Sequence, residues 1–322
     1  MSAARDPRKT LVVALCGGIG GAKLALGLSR VVPGADLMVV ANTGDDFEHL
    51  GLAISPDLDT IMYTLAGLAD PRRGWGRRDE SWTFMAALAA LGGETWFALG
   101  DGDLATHLER TRRRAAGEAL SAITADFCHR LKIATRLVPM TDDTVRTRLR
   151  TDTGWLDFQD YFVRRRCAPV VLEVAYDGAA TARAHPHVLA ALRDPRLRAV
   201  VICPSNPFLS IEPILAVPSL REAIATCAPV VAVSPIIAGR AVKGPTAKMM
   251  SELGLQATAA AVARRYQDLL DAYVLDHADA ADAAELGIPV TLAHTLMATL
   301  ADREDLARRV LASADTLAKA PA

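Results

Sequence analysis

The sequence predicts an α/β protein with a Rossmann-like, doubly wound, mostly parallel sheet and an inserted α+β subdomain. Apolar strand-like runs alternate with helical patterns along most of the 322 residues, as in successive βαβ units. A glycine-rich turn at 17–21 separates the first run from the first helical pattern. Residues 145–163 instead alternate around Asp152-Thr153-Gly154, which predicts an antiparallel hairpin inserted into the parallel arrangement.

The first strand is predicted at 10–16 and the first helix at 22–32, where Leu24 and Leu28 share one face. Further strands are predicted at 36–41, 135–140, 197–203, 229–233, 273–275 and 289–292. Further helices are predicted from about Asp57, within 81–133, and from about Pro245, Thr258, Ala278 and Arg303. The predicted organisation is a core at 1–140 and 196–322, interrupted by a subdomain with a β-hairpin at 141–195.

The composition bears on whether the chain binds nucleic acid or membranes and on the cellular compartment in which it is expected. With 51% hydrophobic residues the chain can bury a large core, and 36 basic against 37 acidic residues give no reason to bind nucleic acid or an anionic membrane. The five cysteines are scattered and include no C-x-x-C pair, as in a reducing compartment. The apolar run at 11–16 is too short for a signal peptide or a membrane span, so a cytoplasmic location is expected.

The loop Gly17-Gly18-Ile19-Gly20-Gly21-Ala22-Lys23 joins a predicted strand to a predicted helix. Backbone N–H groups at such a helix start can hold a phosphate, and the glycines permit close approach. The G-K-[ST] ending of a Walker A loop is missing, and G-x-G-x-x-G fits only with its last position wrong. The pattern favours a phosphate or nucleotide site, and a plain tight turn is the alternative.

Acidic residues gather in and after the loop of the second strand: Asp45, Asp46, Asp57 and Asp59. Carboxylate oxygens are the ligands that Mg²⁺ prefers, often shared with substrate phosphates. The alternative is solvated loop charge with an N-cap, because Ser55-Pro56-Asp57 is a good helix start.

Three other loops carry candidate polar groups. Asp101, Asp103 and His107 follow Gly100, where caps and an ordinary histidine are the alternative to a ligand site. Ser205-Asn206-Pro207 and Ser234-Pro235 follow buried strands, at the edge where α/β sheets bind ligands, although Asn and Pro are also common in turns. Lys248 opens another helix and could reach a phosphate or lie on the surface.

The ordered set of these motifs resembles the 2-phospho-L-lactate transferase family over about residues 11–312. The motifs that carry the resemblance are the glycine loop, Asn42-Thr43-Gly44-Asp45-Asp46, Ser55-Pro56-Asp57-Leu58-Asp59-Thr60, the segment 99–107, Phe158-Gln159-Asp160, Pro204-Ser205-Asn206-Pro207 and Ser234-Pro235-Ile236-Ile237. The resemblance implies an enzyme of coenzyme F-420 biosynthesis that transfers a phospho-acid from a guanylylated donor to the 5-deazaflavin Fo (7,8-didemethyl-8-hydroxy-5-deazariboflavin), releasing GMP. The acid in different members is 2-phospholactate, phosphoenolpyruvate or 3-phosphoglycerate.

The resemblance also implies roles for individual residues. The deazaflavin would be bound by Thr43, Asp46, Asp101 and His107, with Asp46 as the catalytic residue, and Asp45 and Asp59 would be the ligands of Mg²⁺. The donor nucleotide would be held by Gly17, Gly18, Gly20, Gly21, Lys23, Ser205, Asn206, Pro207, Ser234 and Lys248. A guanylyltransferase would supply the donor, and a homodimer is implied.

The chain departs from the resemblance at Gly102, where an arginine is expected, so Arg77, Arg78 or Lys248 would have to replace that cation. Two other functions remain as alternatives. A regulatory protein of the same superfamily that binds a nucleotide-sugar would share the glycine loop, but Phe158-Gln159-Asp160 and the Trp75 and Trp82 region favour a flat tricyclic ligand, unless those aromatic residues are simply core. A nicotinamide-dependent oxidoreductase would need different glycine spacing.

Overall fold

The computed structural model describes residues 9–242 and 244–317, and the outer ends of the predicted core, 1–8 and 318–322, lie outside the described residues. The strands are β1 (Leu11–Cys16), β2 (Leu37–Ala41), β3 (Phe47–His49), β4 (Leu52–Ile54), β5 (Arg136–Pro139), β6 (Arg146–Thr151), β7 (Gly154–Asp157), β8 (Val171–Asp177), β9 (Leu197–Ile202), β10 (Val230–Val233), β11 (Ile236–Ile237), β12 (Arg240–Ala241), β13 (Ala272–Asp276) and β14 (Val290–Ala293). The α-helices are α1 (Gly18–Val31), α2 (Pro56–Leu65), α3 (Thr83–Ala90), α4 (Asp101–Ala115), α5 (Leu120–Arg130), α6 (Pro186–Leu192), α7 (Glu212–Leu215), α8 (Pro218–Ala225), α9 (Thr246–Glu252), α10 (Ala259–Arg265) and α11 (Leu300–Leu317).

Seven strands form the main sheet in the order β14-β13-β10-β9-β1-β2-β5, and every neighbouring pair is parallel. From β1 the chain adds strands outward on one side through β2 and β5. It then returns to the centre and adds β9, β10, β13 and β14 on the other side. The predicted doubly wound class is therefore confirmed, and its switch point lies between β1 and β9.

Both faces of the main sheet are covered, which explains why its central strands read as continuous apolar runs. Val12 and Ala14 of β1 face the layer that contains α1, α2 and α11. Val13 and Leu15 face the opposite layer, to which α6 and α8 contribute. Every residue of β1 is buried.

The predicted hairpin is present as β6 and β7, and β8 extends it to a three-stranded antiparallel sheet in the order β7-β6-β8. Gly154 closes the turn with φ +108°, a conformation that favours glycine. Buried side chains of this small sheet, such as Leu149 and Val171, belong to the same cluster as Val13 and Leu15 of the main sheet. Helix α6 falls inside the predicted insertion range but contacts β1, β2 and β9.

Three helix predictions differ from the structure. Helix α1 begins at Gly18 rather than at Ala22, because the glycines form its first turn instead of a separate loop. The segment predicted as a helix from Ala278 is a 3₁₀ segment at His277–Glu285, and α11 begins at Leu300 rather than at Arg303. Across residues 9–242 and 244–317, no helix combines the length and apolar character needed to cross a membrane.

Candidate active site

The crevice at the switch point is closed by direct contacts between the loops that follow β1 and β9. Ser205 Oγ accepts from Gly17 N at 3.2 Å and lies 2.7 Å from Gly17 O, to which it donates. Ligands of doubly wound sheets bind where neighbouring loops leave in opposite directions. Two of the predicted donor-binding segments, the glycine loop and Ser205-Asn206-Pro207, therefore meet at this place.

The glycines of the first turn of α1 are required by close packing. A Cβ atom at Gly20 would overlap the carbonyl oxygen of Pro204, and one at Gly21 would overlap Ser205 Oγ. Gly18 adopts φ +61°, in the left-handed region. The start of α1 is thus held against the β9 loop, with backbone N–H groups of its first turn available to an anion.

One of these N–H groups already has a partner from α2. Gly18 N donates to Asp57 Oδ1 at 2.6 Å, and a Cβ at Gly17 would collide with Asp57 Oδ2. The Asp57 side chain therefore occupies the N-terminus of α1, while the N-cap position of its own helix is Ser55. Burial raises the pKa of Asp57 to about 6, an effect that its hydrogen bonds with Asn42 and Gly18 partly offset.

Asn42, at the end of β2, joins the loops around the crevice. Its Nδ2 lies 3.0 Å from Asp45 Oδ1, 2.9 Å from Asp57 Oδ2 and 3.0 Å from Leu209 O. Its Oδ1 accepts from Gly44 N at 2.7 Å. The sequence motif includes Asn42, but only the fold shows that its amide bridges three separate segments.

The predicted catalytic carboxyl, Asp46, is buried beside the other acids. Its Oδ2 accepts from Ser55 Oγ at 2.8 Å, whereas its Oδ1 has no hydrogen-bond partner among the described residues. Burial raises its pKa to about 7, opposed by the charge of Arg146 and by the Ser55 hydrogen bond. Burial and the nearby Asp57 and Asp46 charges raise the pKa of Asp45 well above its ordinary value. The hydroxyl of Thr43 is also buried without a partner within the described chain.

Asp59 lies in a second buried network, on the α4 side of the crevice. Both of its carboxylate oxygens accept from the Arg110 guanidinium, and His107 Nδ1 lies 3.6 Å from Asp59 Oδ2. His107 Nε2 lies 3.2 Å from Asp103 Oδ2, without the alignment of a hydrogen bond. Tyr63 donates its hydroxyl hydrogen bond to Asp103 Oδ1 at 2.7 Å. Asp59 and His107 therefore belong to one network, which sequence spacing alone does not reveal.

The residues present suit Mg²⁺ in kind, because they offer hard carboxylate oxygens, one of them the unpartnered Asp46 Oδ1. The buried Asp45 feels the charges of both Asp57 and Asp46, so a cation would relieve this repulsion. Within the described chain, the acidic and histidine side chains whose ligand atoms all lie within 4.8 Å of one another are Asp59, Asp103 and His107. Asp45 lies outside that set, and Asp59 is already shared with a guanidinium.

Two other residues predicted to bind the nucleotide donor, Asn206 and Ser234, differ in the hydrogen bonds that they already make. Asn206 Oδ1 caps the turn that follows by accepting from Phe208 N and Leu209 N, and its Nδ2 is buried without a partner among the described residues. This amide is free to bind a ligand, and Pro207 beside it is buried. Ser234 bonds locally with both backbone groups of Ile236.

The two predicted lysines hold elements together in this structure. Lys23 Nζ donates to Met297 O at 2.8 Å, just before α11. Lys248 Nζ pairs with Glu252 on the same helix and donates to Pro169 O at 2.9 Å. The second bond connects α9 to the segment just before β8 of the inserted sheet.

Asp101 and Gly102 lie at the start of α4, near the segment that contains Trp75 and Trp82. Asp101 accepts from Ser81 Oγ and from the backbone N–H groups of Thr83 and Phe84, so it caps α3. Arg77 Nη1 donates to Gly102 O at 3.2 Å, and its guanidinium carbon lies 3.3 Å from the position of a Gly102 Cβ. Of the three proposed replacements, Arg77 is therefore the one placed at Gly102.

Two aromatic groups flank this region. Trp75 and Trp82 pack edge to face with centroids 6.4 Å apart, and Trp75 is 44% exposed. A second group, directly after Asp46, was not predicted: Phe97 packs edge to face on Phe47 at 4.9 Å, and Trp96 packs edge to face on His49 at 4.9 Å. In the sequence this group is visible only as Phe47 two positions before His49. Such a spacing is too common in short hairpins to predict a ligand site.

The sequence matches the family model described as 2-phospho-L-lactate transferase CofD over residues 12–309. The chain belongs to the CofD family. As a CofD-family member it is a transferase, and the nicotinamide-dependent oxidoreductase considered from the glycine loop is set aside.

Several CofD-family relatives are similar along nearly the whole chain. A phosphoenolpyruvate transferase of Streptomyces griseus is 44% identical over 282 residues, which cover 85% of this chain and 88% of the relative. One of Kitasatospora aureofaciens is 44% identical over 317 residues, covering 94% and 98%. The solved structure of a UPF0052 family protein from Bacillus halodurans has a TM-score of 0.63 and 13% identity, and covers 94% of this chain and 99% of that chain. That likeness supports the fold alone.

Proposed function

We propose that this CofD-family transferase moves a phospho-three-carbon acid from a guanosine diphosphate-linked donor to the deazaflavin Fo, with release of GMP and formation of coenzyme F-420-0 or its analogue. Phosphoenolpyruvate is the first choice of acid, because relatives 44% identical to this chain are named for its transfer. The observation that carries the proposal is the crevice between β1 and β9, where the glycine turn and a buried carboxylate group face each other.

In the proposed reaction the terminal ribityl hydroxyl of Fo attacks the donor phosphorus that bears the acid. The bond from this phosphorus to the bridging oxygen breaks, and GMP leaves with that oxygen. Positioning and neutralisation of charge account for most of the catalysis in such transfers. We assign binding of the nucleotide donor to the backbone N–H groups of α1 beyond Gly18 and to the amide of Asn206, which is buried without a partner among the described residues.

Asp46 is proposed to orient the attacking hydroxyl and to accept its proton. A pKa near 7 suits a base that works at neutral pH, because it is ionised in a large fraction of molecules and still binds a proton well. Mg²⁺, when bound by Asp45 and Asp59, would neutralise charge on the diphosphate. Asp59 would then have to share its oxygens between the ion and Arg110.

The test is product formation. Purified protein is incubated with Fo, Mg²⁺, GTP, a guanylyltransferase and each of the three candidate acids in turn, and products are followed by mass. We expect an Fo adduct with phosphoenolpyruvate, loss of product with excess chelator, and at least about a 100-fold lower rate for Asp46→Asn. If no acid gives an adduct while a nucleotide-sugar binds tightly, the proposal is wrong and the regulatory alternative stands.

A further inference from the structure

Three arginines lie at alternate positions of β6, the central strand of the inserted sheet: Arg146, Arg148 and Arg150. Two of them have carboxylate partners on the flanking strands. Arg148 Nε lies 2.9 Å from Asp157 Oδ1, and Arg150 Nε donates to Glu173 Oε2 at 2.7 Å. Arg146 forms no such ion pair with any of residues 9–242 or 244–317, although Asp177 is its register partner on β8.

The position of Arg146 is fixed by its neighbours in the chain. Thr147 N donates to Gly44 O at 2.5 Å, and Thr147 Oγ1 lies 2.8 Å from where a Gly44 Cβ would be. Val145 is fully buried, and Arg146 Nη1 donates to Val145 O at 2.7 Å. The start of β6 therefore packs against Gly44, in the loop that joins β2 to the acidic pair Asp45 and Asp46.

The start of β6 places Arg146 close to Asp45 and Asp46, because the next residue, Thr147, donates its N–H to Gly44 O, directly before Asp45 in the chain. The positive charge of Arg146 acts on both carboxyl groups, whereas that of Arg110, which is paired with Asp59, acts on Asp46. Close by, Thr43 Oγ1, Asp46 Oδ1 and Thr147 Oγ1 are buried with no hydrogen-bond partner in the described chain. Buried polar atoms in folded proteins are normally paired, so a set of unpaired ones on and against the loop that carries Gly44 indicates a place for a polar ligand.

We propose that Arg146 contacts the phosphoryl group that is transferred, so that the inserted sheet supplies the cation that a diphosphate donor needs beside the acidic group. This inference rests on the proposed function. A guanidinium binds phosphate oxygens through two parallel hydrogen bonds and stays charged at every working pH. A carboxylate group alone would repel the donor. Arg146 is a cation that acts on both Asp45 and Asp46, whereas Arg110, which also acts on Asp46, is already paired with Asp59.

The experiment compares Arg146→Gln and Arg146→Lys with Arg150→Gln, a matched change four positions further along the same strand. Steady-state kcat and KM are measured for the wild type and all three variants, with the donor made in the reaction. We expect kcat to fall about 100-fold to 1000-fold in Arg146→Gln, as when one charge-stabilising donor is removed from an active site. The kcat of Arg146→Lys should fall at least about tenfold, because lysine keeps the positive charge but cannot form two parallel hydrogen bonds to a phosphate. Arg150→Gln should keep its kcat within about twofold.

Each outcome decides the matter. If the wild type forms product and Arg146→Lys stays within about threefold of it, the inference is wrong and the proposed function stands, whatever the rate of Arg146→Gln. If the wild type forms no product with any acid, the proposed function fails and the inference fails with it. A deficit that disappears by pH 9 would mean that Arg146 only keeps the carboxylates ionised, which also overturns the contact. Arg146→Lys retains the charge beside the acids, so the comparison holds even if Arg146→Gln folds poorly.

Discussion

The strongest prediction about stability concerns the buried carboxyl of Asp46. Its pKa rises from an ordinary value of 3.8 to about 7 in the folded chain. Each tenfold change in proton affinity is worth about 1.4 kcal/mol, so the ionised form costs the fold about 4 kcal/mol. The folded state holds the proton more tightly than the unfolded state. The contribution of Asp46 to the free energy of unfolding is therefore fully present below about pH 4 and is lost progressively as the pH rises towards 7.

The substitution Asp46→Asn removes this titration with little change of shape. The new amide keeps an oxygen that can accept from Ser55 Oγ, whereas its NH₂ group has no partner among the described residues, which costs stability equally at all pH values. We therefore expect the difference in unfolding free energy, variant minus wild type, to be about 3 kcal/mol more positive at pH 8 than at pH 5.

The assay is urea unfolding followed by circular dichroism at pH 5 and pH 8, with a chelator present so that no cation screens the carboxylate. Asp305→Asn is the matched control, since Asp305 is an exposed carboxylate that pairs with Arg309 on the surface of α11. Its effect should stay below about 1 kcal/mol at both pH values. An equal effect of Asp46→Asn at the two pH values would refute the reasoning, because it would show that Asp46 titrates alike in both states.

Three other substitutions test the packing around the crevice. Gly20→Ala should lower stability by about 1 to 3 kcal/mol, because its Cβ meets a backbone carbonyl, whereas Gly287→Ala has open space and should be neutral; equal unfolding midpoints would contradict this. Arg110→Met should cost about 3 to 5 kcal/mol by leaving Asp59 buried without its partner, and adding Asp59→Asn should recover part of that loss in the same urea assay. Tyr176→Phe removes a hydroxyl that donates to a buried carbonyl and should cost about 1 to 2 kcal/mol, a value that an unchanged midpoint would exclude.

The sequence was most informative where one periodicity dominated. The strands at 10–16 and 36–41 were predicted within one residue of β1 and β2, because a strand covered on both faces is apolar at every position. The hairpin was recognised from alternation and from a turn glycine, which Gly154 confirms with its positive φ. Helix α1 was placed four residues late, because four glycines read as a loop when the close approach of the β9 loop cannot be seen.

The site was less predictable than the fold, because its groups come from distant segments. The sequence indicated the acids and the glycine turn, yet it gave no reason to join Asp57 to the start of α1 or Asp59 to Arg110, which lies 51 positions further along the chain. The role that we propose for Arg146 is hidden in the sequence for a similar reason. On a strand that alternates arginine with buried residues, all three arginines look like ordinary surface charge until the docking of β6 separates one from the others.

If the proposed donor binds in the crevice, the same contacts limit which groups its diphosphate can use. Asp57 occupies the N-terminus of α1, where a phosphate would otherwise find its strongest backbone donors. An incoming diphosphate therefore has to use the N–H groups beyond Gly18, or displace a carboxylate whose pKa is about 6 and which can accept a proton near neutral pH. In either case the diphosphate would add negative charge beside the buried carboxyl groups, so we expect binding of the proposed donor to require cations. We propose two sources of cations, Mg²⁺ bound by the carboxylates and Arg146 on the inserted sheet.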